Sequence, residues 1–224
     1  MEQAYNRNAF ISLIISYAGC IAGLLGVNAL NHYVIMKLPL ATRMVSLITE
    51  YWLIAVVPMI VMFVSKDRLH DYGFEKDKIG IQLAIGAVLG IAMSLILTLI
   101  PHLVGFGNYV DGGKRYEYLW KFIYEFVYCI FAVGAVEEFV FRGLIYTKAK
   151  QIIQKDWFAV VISSVTFGLF HILSGSVVQM ILTGLLGALF CLFRLKIKRC
   201  STLSIIIAHG VYDALITVWT SLLL

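Results

Sequence analysis

Charge is scarce in this chain. Asp, Glu, Lys and Arg make up 14% of its 224 residues, where an average soluble domain holds about 25%. A soluble protein so poor in polar side chains could not cover its surface, and disorder needs the opposite composition. Cysteine occurs four times, at 20, 129, 191 and 200, with no Cys-x-x-Cys pair and no His neighbours at metal spacing. A disulfide-stapled secreted domain and a cysteine zinc site are therefore excluded. What is abundant is apolar: 61% of residues are hydrophobic and the mean hydropathy is +0.89. This is the composition of a membrane protein.

A spanning helix needs about 20 mostly apolar residues. Seven such runs can be read: Ala9–Leu30, Met44–Val64, Ile79–Val104, Trp120–Tyr146, Trp157–Leu173, Val177–Phe193 and Thr202–Leu224. The expected fold is an all-α, polytopic transmembrane helix bundle of about seven (six to eight) spans, a range set by boundary error. The connections are short, so residues 1–224 are expected to form one integral-membrane domain. Gly19-x-x-x-Gly23 and Gly86-x-x-x-Gly90 predict close helix packing inside that bundle.

Lys and Arg placement orients the spans. Arg7, Lys66, Arg68, Lys76, Lys78, Lys148, Lys150, Lys155, Arg194, Lys196, Lys198 and Arg199 fall on the side of the N-terminus; Lys37, Arg43, Lys114, Arg115 and Lys121 fall on the other. A cytoplasmic N-terminus follows, in what is expected to be a bacterial plasma membrane. The four Trp residues lie near predicted helix ends, as an interfacial belt requires. Topology thus accounts for the net charge of +5, and no nucleic-acid partner is needed. Gly105–Lys114 is glycine-rich but lacks the strand–loop–helix context of a phosphate cradle, so no nucleotide is expected.

Ionisable groups inside the hydrocarbon are the informative ones, because each costs roughly 2.5–3.5 kcal/mol at a helix centre. They are read in three helices of the C-terminal half. The fourth carries Glu137-Glu138-Phe139-Val140-Phe141-Arg142, in which Glu138 and Arg142 are four apart and can pair. Glu137 then points elsewhere with no local partner. A helix end reaching water at the interface is the other reading of this segment. The fifth helix carries Phe167-Gly168-Leu169-Phe170-His171, and the seventh carries His209-Gly210-Val211-Tyr212-Asp213. Counted from the predicted cytoplasmic helix ends, Glu137 lies roughly 13 Å deep, His209 roughly 10 Å and His171 roughly 20 Å. His171 is out of step.

Glu-Glu-x-x-x-Arg, Phe-x-x-x-His and His-x-x-x-Asp, in this order within residues 120–220, resemble the CAAX protease and bacteriocin-processing family, the Abi or CPBP intramembrane proteases. The resemblance implies an intramembrane endopeptidase acting on a membrane-associated peptide or protein precursor, with the bilayer and that peptide as partners. It implies that Glu137 activates water and that His171 helps hold it. His209 and Asp213 would stabilise the oxyanion, while Glu138 and Arg142 position Glu137; Phe167 supports the site as the first residue of its motif. Asp213 stands where the family's prenyl-protein endopeptidases typically have Asn, as in bacterial members.

The chemistry agrees with those roles. Peptide hydrolysis without a Ser or Cys nucleophile needs an activated water and an oxyanion donor. Asp213 would orient His209 or, if protonated, donate directly. Glu137, His171 and His209 would also make a two-His, one-carboxylate set of the kind zinc takes. No His-Glu-x-x-His element is present, and Glu137 does not readily serve as both ligand and base, so a glutamate-based site without a cofactor is expected. A proton-coupled transporter would also place charges in the membrane, but with internal repeats and broken helices. Here the charges are read in one half only. A non-catalytic scaffold or immunity protein of the same fold is the remaining alternative.

Overall fold

In hydrocarbon every backbone polar group must be satisfied within its own segment, and a helix does this. All regular structure among the described residues is accordingly helical. The computed structural model describes residues 2–110, 113–172 and 175–223. Asp111 and Gly112 of the predicted external loop, and Leu173 and Leu224 at the ends of two predicted spans, lie outside the described residues.

Among the described residues, six helices are long and apolar enough to cross a membrane: α1 (Asn6–Lys37), α2 (Leu40–Val64), α3 (Ile79–Phe106), α4 (Leu119–Ile153), α6 (Val177–Lys196) and α7 (Thr202–Leu223). Between them, α5 (Asp156–His171) has 16 residues. At 1.5 Å per residue that is about 24 Å, short of the roughly 30 Å hydrocarbon thickness. The all-α polytopic fold is as expected, with six full spans and a shorter fifth helix.

The boundary difference that bears on the site is in α4, which runs on from Tyr146 to Ile153. Lys148 and Lys150 made Tyr146 look like the end of the apolar run. Lys148 is in fact buried, its Nζ 2.6 Å from Asp67 Oδ2. Tyr72 donates to the same oxygen at 2.8 Å. A paired lysine does not have to reach water. The helix stops at Gln154, which adopts φ 57° and ψ 30°.

The chain divides into two compact units, Met1–Glu75 with Val136–Thr202, and Lys76–Ala135 with Leu203–Leu224. In the first, α1 packs on the second half of α2. A Cβ at Gly19 would lie 2.3 Å from Val57, and one at Gly23 would lie 2.7 Å from the backbone of Ile54. The core of this unit includes Leu24, Ile54, Tyr72, Phe139, Phe141 and Leu144. In the second unit, Cβ atoms at Gly86 and Gly90 would lie 2.4 Å from the Ser204 carbonyl and 2.7 Å from that of Ala208. Both glycine patterns therefore serve helix packing within a unit. All four cysteines are buried, and none of them is in a disulfide.

Candidate active site

In the first unit, the C-terminal half of α4 and all of α5 form a helical hairpin about Gln154 and Lys155. Two hydrogen bonds fix its register: Tyr146 Oη to Asp156 Oδ1 at 2.6 Å and Ser163 Oγ to the Phe141 carbonyl at 2.9 Å. Counting outward from the turn, Glu137 lies about 24 Å from Ile153 and His171 about 22 Å from Asp156. The depth mismatch in the sequence reading came from ending α4 at Tyr146. With α4 complete, the two residues are level, and His171 Nε2 lies 3.9 Å from Glu137 Oε2.

Local helix geometry around Glu137 is unusual. Cys129–Gly134 and Glu138–Ile145 run as π-helix, with only Ala135–Glu137 in α form between them. Such i→i+5 segments are rare and concentrate at functional sites. No residue in the Glu-Glu-x-x-x-Arg motif announces them.

The Glu137 side chain is almost wholly enclosed, at 1% exposure. Tyr51 Oη donates to Glu137 Oε1 at 2.5 Å. The sequence reading left Glu137 without a local partner; the structure supplies one from α2. Tyr51 was missed because an aromatic in an apolar run reads as ordinary membrane composition.

His171 Nδ1 lies 2.9 Å from the Phe167 carbonyl. A carbonyl can only accept, so Nδ1 carries the proton in this bond, and Nε2 of a neutral ring is left as an acceptor facing Glu137. The imidazole is held edge-to-face by Phe167, at 4.6 Å between centroids, and by Phe170, at 5.3 Å. Phe167 is in turn stacked under the Arg142 guanidinium, 4.0 Å from its centroid. Arg142 NH1 lies 3.1 Å from Glu138 Oε1, with both side chains fully buried. A Cβ at Gly187 on α6 would come within 3.2 Å of both Arg142 and Phe167, so a larger side chain there would press on this stack. Glu138, Arg142, Phe167 and His171 thus form a continuous support that ends opposite Glu137.

The His209–Asp213 pair belongs to the second unit. His209 Nε2 lies 3.3 Å from Asp213 Oδ2, four residues along α7. This unit also holds a buried carboxylate that the sequence reading passed over, Glu125 on α4. Lys114 Nζ lies 2.5 Å from its Oε1, Tyr116 donates to its Oε2 at 2.8 Å, and Thr217 donates to Oε1 at 3.4 Å. Burial and the hydrogen bond to Glu125 push the Tyr116 hydroxyl well above its ordinary pKa. Glu125 is fully engaged and ties the segment before α4 to α7. Glu50 and Gln82 are likewise buried, so intramembrane polar groups are not confined to the C-terminal half. That corrects one argument used against a transporter.

Among the described residues, no three His, Cys, Asp or Glu side chains form a group that could hold a metal ion. Beside the Glu137 carboxylate the first unit places the His171 imidazole and the Tyr51 phenol, the latter already bonded to that carboxylate. This set suits proton transfer.

A polytopic helical membrane protein with an enclosed carboxylate beside a tautomer-fixed imidazole belongs among integral membrane proteins with an intramembrane polar site. Comparison narrows the class. Residues 119–215 match the family described as Rce1-like, type II CAAX prenyl endopeptidase Rce1-like, so this segment is a domain of the CAAX-protease type. The match includes Glu137, Glu138, Arg142, Phe167, His171, His209 and Asp213, and leaves Tyr51 outside. No curated protein and no solved structure matches the chain.

Proposed function

We propose that the chain is an intramembrane endopeptidase that cuts a membrane-associated peptide or protein precursor with water activated by Glu137. The observation that carries this reading is the pairing of the Glu137 carboxylate with the acceptor nitrogen of His171 at 3.9 Å. Two acceptors at that separation suit one water donating to both, about 2.8 Å from each. Glu137 takes one proton as the water oxygen adds to the scissile carbonyl carbon. The carbonyl oxygen becomes an oxyanion, which is assigned to His209. An imidazolium there would donate from one nitrogen to Asp213 and from the other to the oxyanion. Collapse expels the amine, which takes the proton back from Glu137. No step requires a metal or cofactor.

Asp213 in place of the Asn typical of prenyl endopeptidases supports a peptide substrate without a prenyl group, such as a bacteriocin precursor. The test compares the proteomes of cells expressing wild type and Glu137→Ala. Membrane peptides that accumulate uncut in the variant identify the substrate; identical peptide sets would overturn the proposal.

His171→Ala and His209→Ala are each expected to abolish cleavage of such a peptide and leave the thermal midpoint near that of wild type. Each removes a polar group from the chemistry while the apolar packing persists. Wild-type rates in either variant would contradict its assignment. Loss of activity with a chelator, restored by zinc, would contradict the metal-free mechanism.

The charge distribution supports a cytoplasmic N-terminus and a cytoplasmic α4–α5 turn. In a background cleared of native cysteines, a Cys at position 150 is expected to be labelled only after permeabilisation, and one at 114 in intact cells. The opposite labelling would reverse the topology.

A further inference from the structure

We infer that Tyr51 is a positioning residue for Glu137, acting through a hydrogen bond from a break in α2 that lies outside the family-matched segment. This deepens the proposed function and rests on it. The sequence builds the break. Trp52, Ile54 and Ala55 donate to carbonyls three residues back, at 3.3, 3.2 and 3.0 Å, so the chain here turns with about three residues per turn in place of 3.6. Pro58 follows within one helical turn and has no N–H to donate to the carbonyl four residues before it. The helical register therefore shifts at Tyr51, between Leu40–Glu50 and Leu53–Val64.

The geometry is specific. The phenol reaches Glu137 Oε1 at 2.5 Å, while His171 faces the other oxygen, Oε2. The two carboxylate oxygens thus have different neighbours. A carboxylate free to rotate about its last bond would present either oxygen to the water. Tyr51 fixes which one it presents. Its partner is 86 residues distant in sequence, so α2, from outside the motif-bearing segment, sets the orientation of the general base.

The experiment uses the full-length protein in lipid nanodiscs and reads the bond directly by infrared spectroscopy. The Glu137 carboxyl band is identified as the one lost in Glu137→Gln. In Tyr51→Phe this band is expected to be displaced while the thermal midpoint stays near that of wild type. From the other end, the tyrosine C–O band is expected to be displaced in Glu137→Gln, a reading that does not depend on Tyr51→Phe folding. Single-turnover cleavage of the peptide that accumulates in Glu137→Ala cells is expected to slow about 10- to 100-fold in Tyr51→Phe, the factor carried by one hydrogen bond to a charged group. KM is expected to hold. In a Glu137→Gln background the same change is expected to add no further loss. Unmoved bands would overturn the hydrogen bond. Displaced bands with an unchanged rate would overturn its catalytic use. A wild type that cuts nothing while both bands move would instead count against the proposed function.

Discussion

Glu137→Gln is expected to fold as the wild type does and to slow single-turnover cleavage by at least about 10²–10⁴-fold, the usual contribution of a general base. The amide keeps the shape of the carboxyl, and its neutral oxygen accepts from Tyr51 in a weaker bond than the carboxylate does. It cannot take a proton from water. Substrate binding uses surfaces this change leaves intact, so the loss should fall on the chemical step. The enclosure of Glu137, at 1% exposure, makes the expectation sharp, because bulk water has little direct access to stand in as a base.

Breaking the neighbouring ion pair is expected to act on stability. Glu138 and Arg142 are both fully buried, 3.1 Å apart. Glu138→Leu leaves the guanidinium enclosed without its counter-charge, at a cost of about 3–5 kcal/mol. Thermal melts in detergent should show a large drop in midpoint. Glu138→Leu/Arg142→Leu should recover much of it, since a buried pair replaced as a whole by apolar groups is often neutral. The double variant should nevertheless cleave poorly. It removes the guanidinium beneath Phe167, 4.0 Å from the ring, and with it the support of His171. A Glu138→Leu protein that melts with the wild type would show that the pair carries little of the fold.

Much of this arrangement could be read in the sequence, for a physical reason. Apolar runs must be helices in a bilayer, so six of the seven predicted segments are full spans among the described residues, with boundaries shifted by up to seven residues. The four-residue spacing of Glu138 and Arg142 also survives in the structure, even though the segment is π-helical. What escaped the reading depends on partners distant in the chain. Lys148 looked like a helix end until Asp67 was seen beside it. Glu125 and Glu50 sit inside apolar runs as isolated letters, and hydropathy averages them away. Tyr51 carried no signal at all, because nothing local distinguishes a phenol that meets a carboxylate from one that meets lipid.

The central claim is that two adjacent glutamates do different work, Glu137 on water and Glu138 on the fold. One paired measurement tests it: single-turnover cleavage beside a thermal melt for Glu137→Gln and Glu138→Gln, each purified at full length. The account predicts a Glu137→Gln protein that melts normally and does not cleave, and a Glu138→Gln protein that melts early and keeps partial activity. A Glu137→Gln protein that cleaves at the wild-type rate, beside a stable but inactive Glu138→Gln, would show the two roles to be reversed.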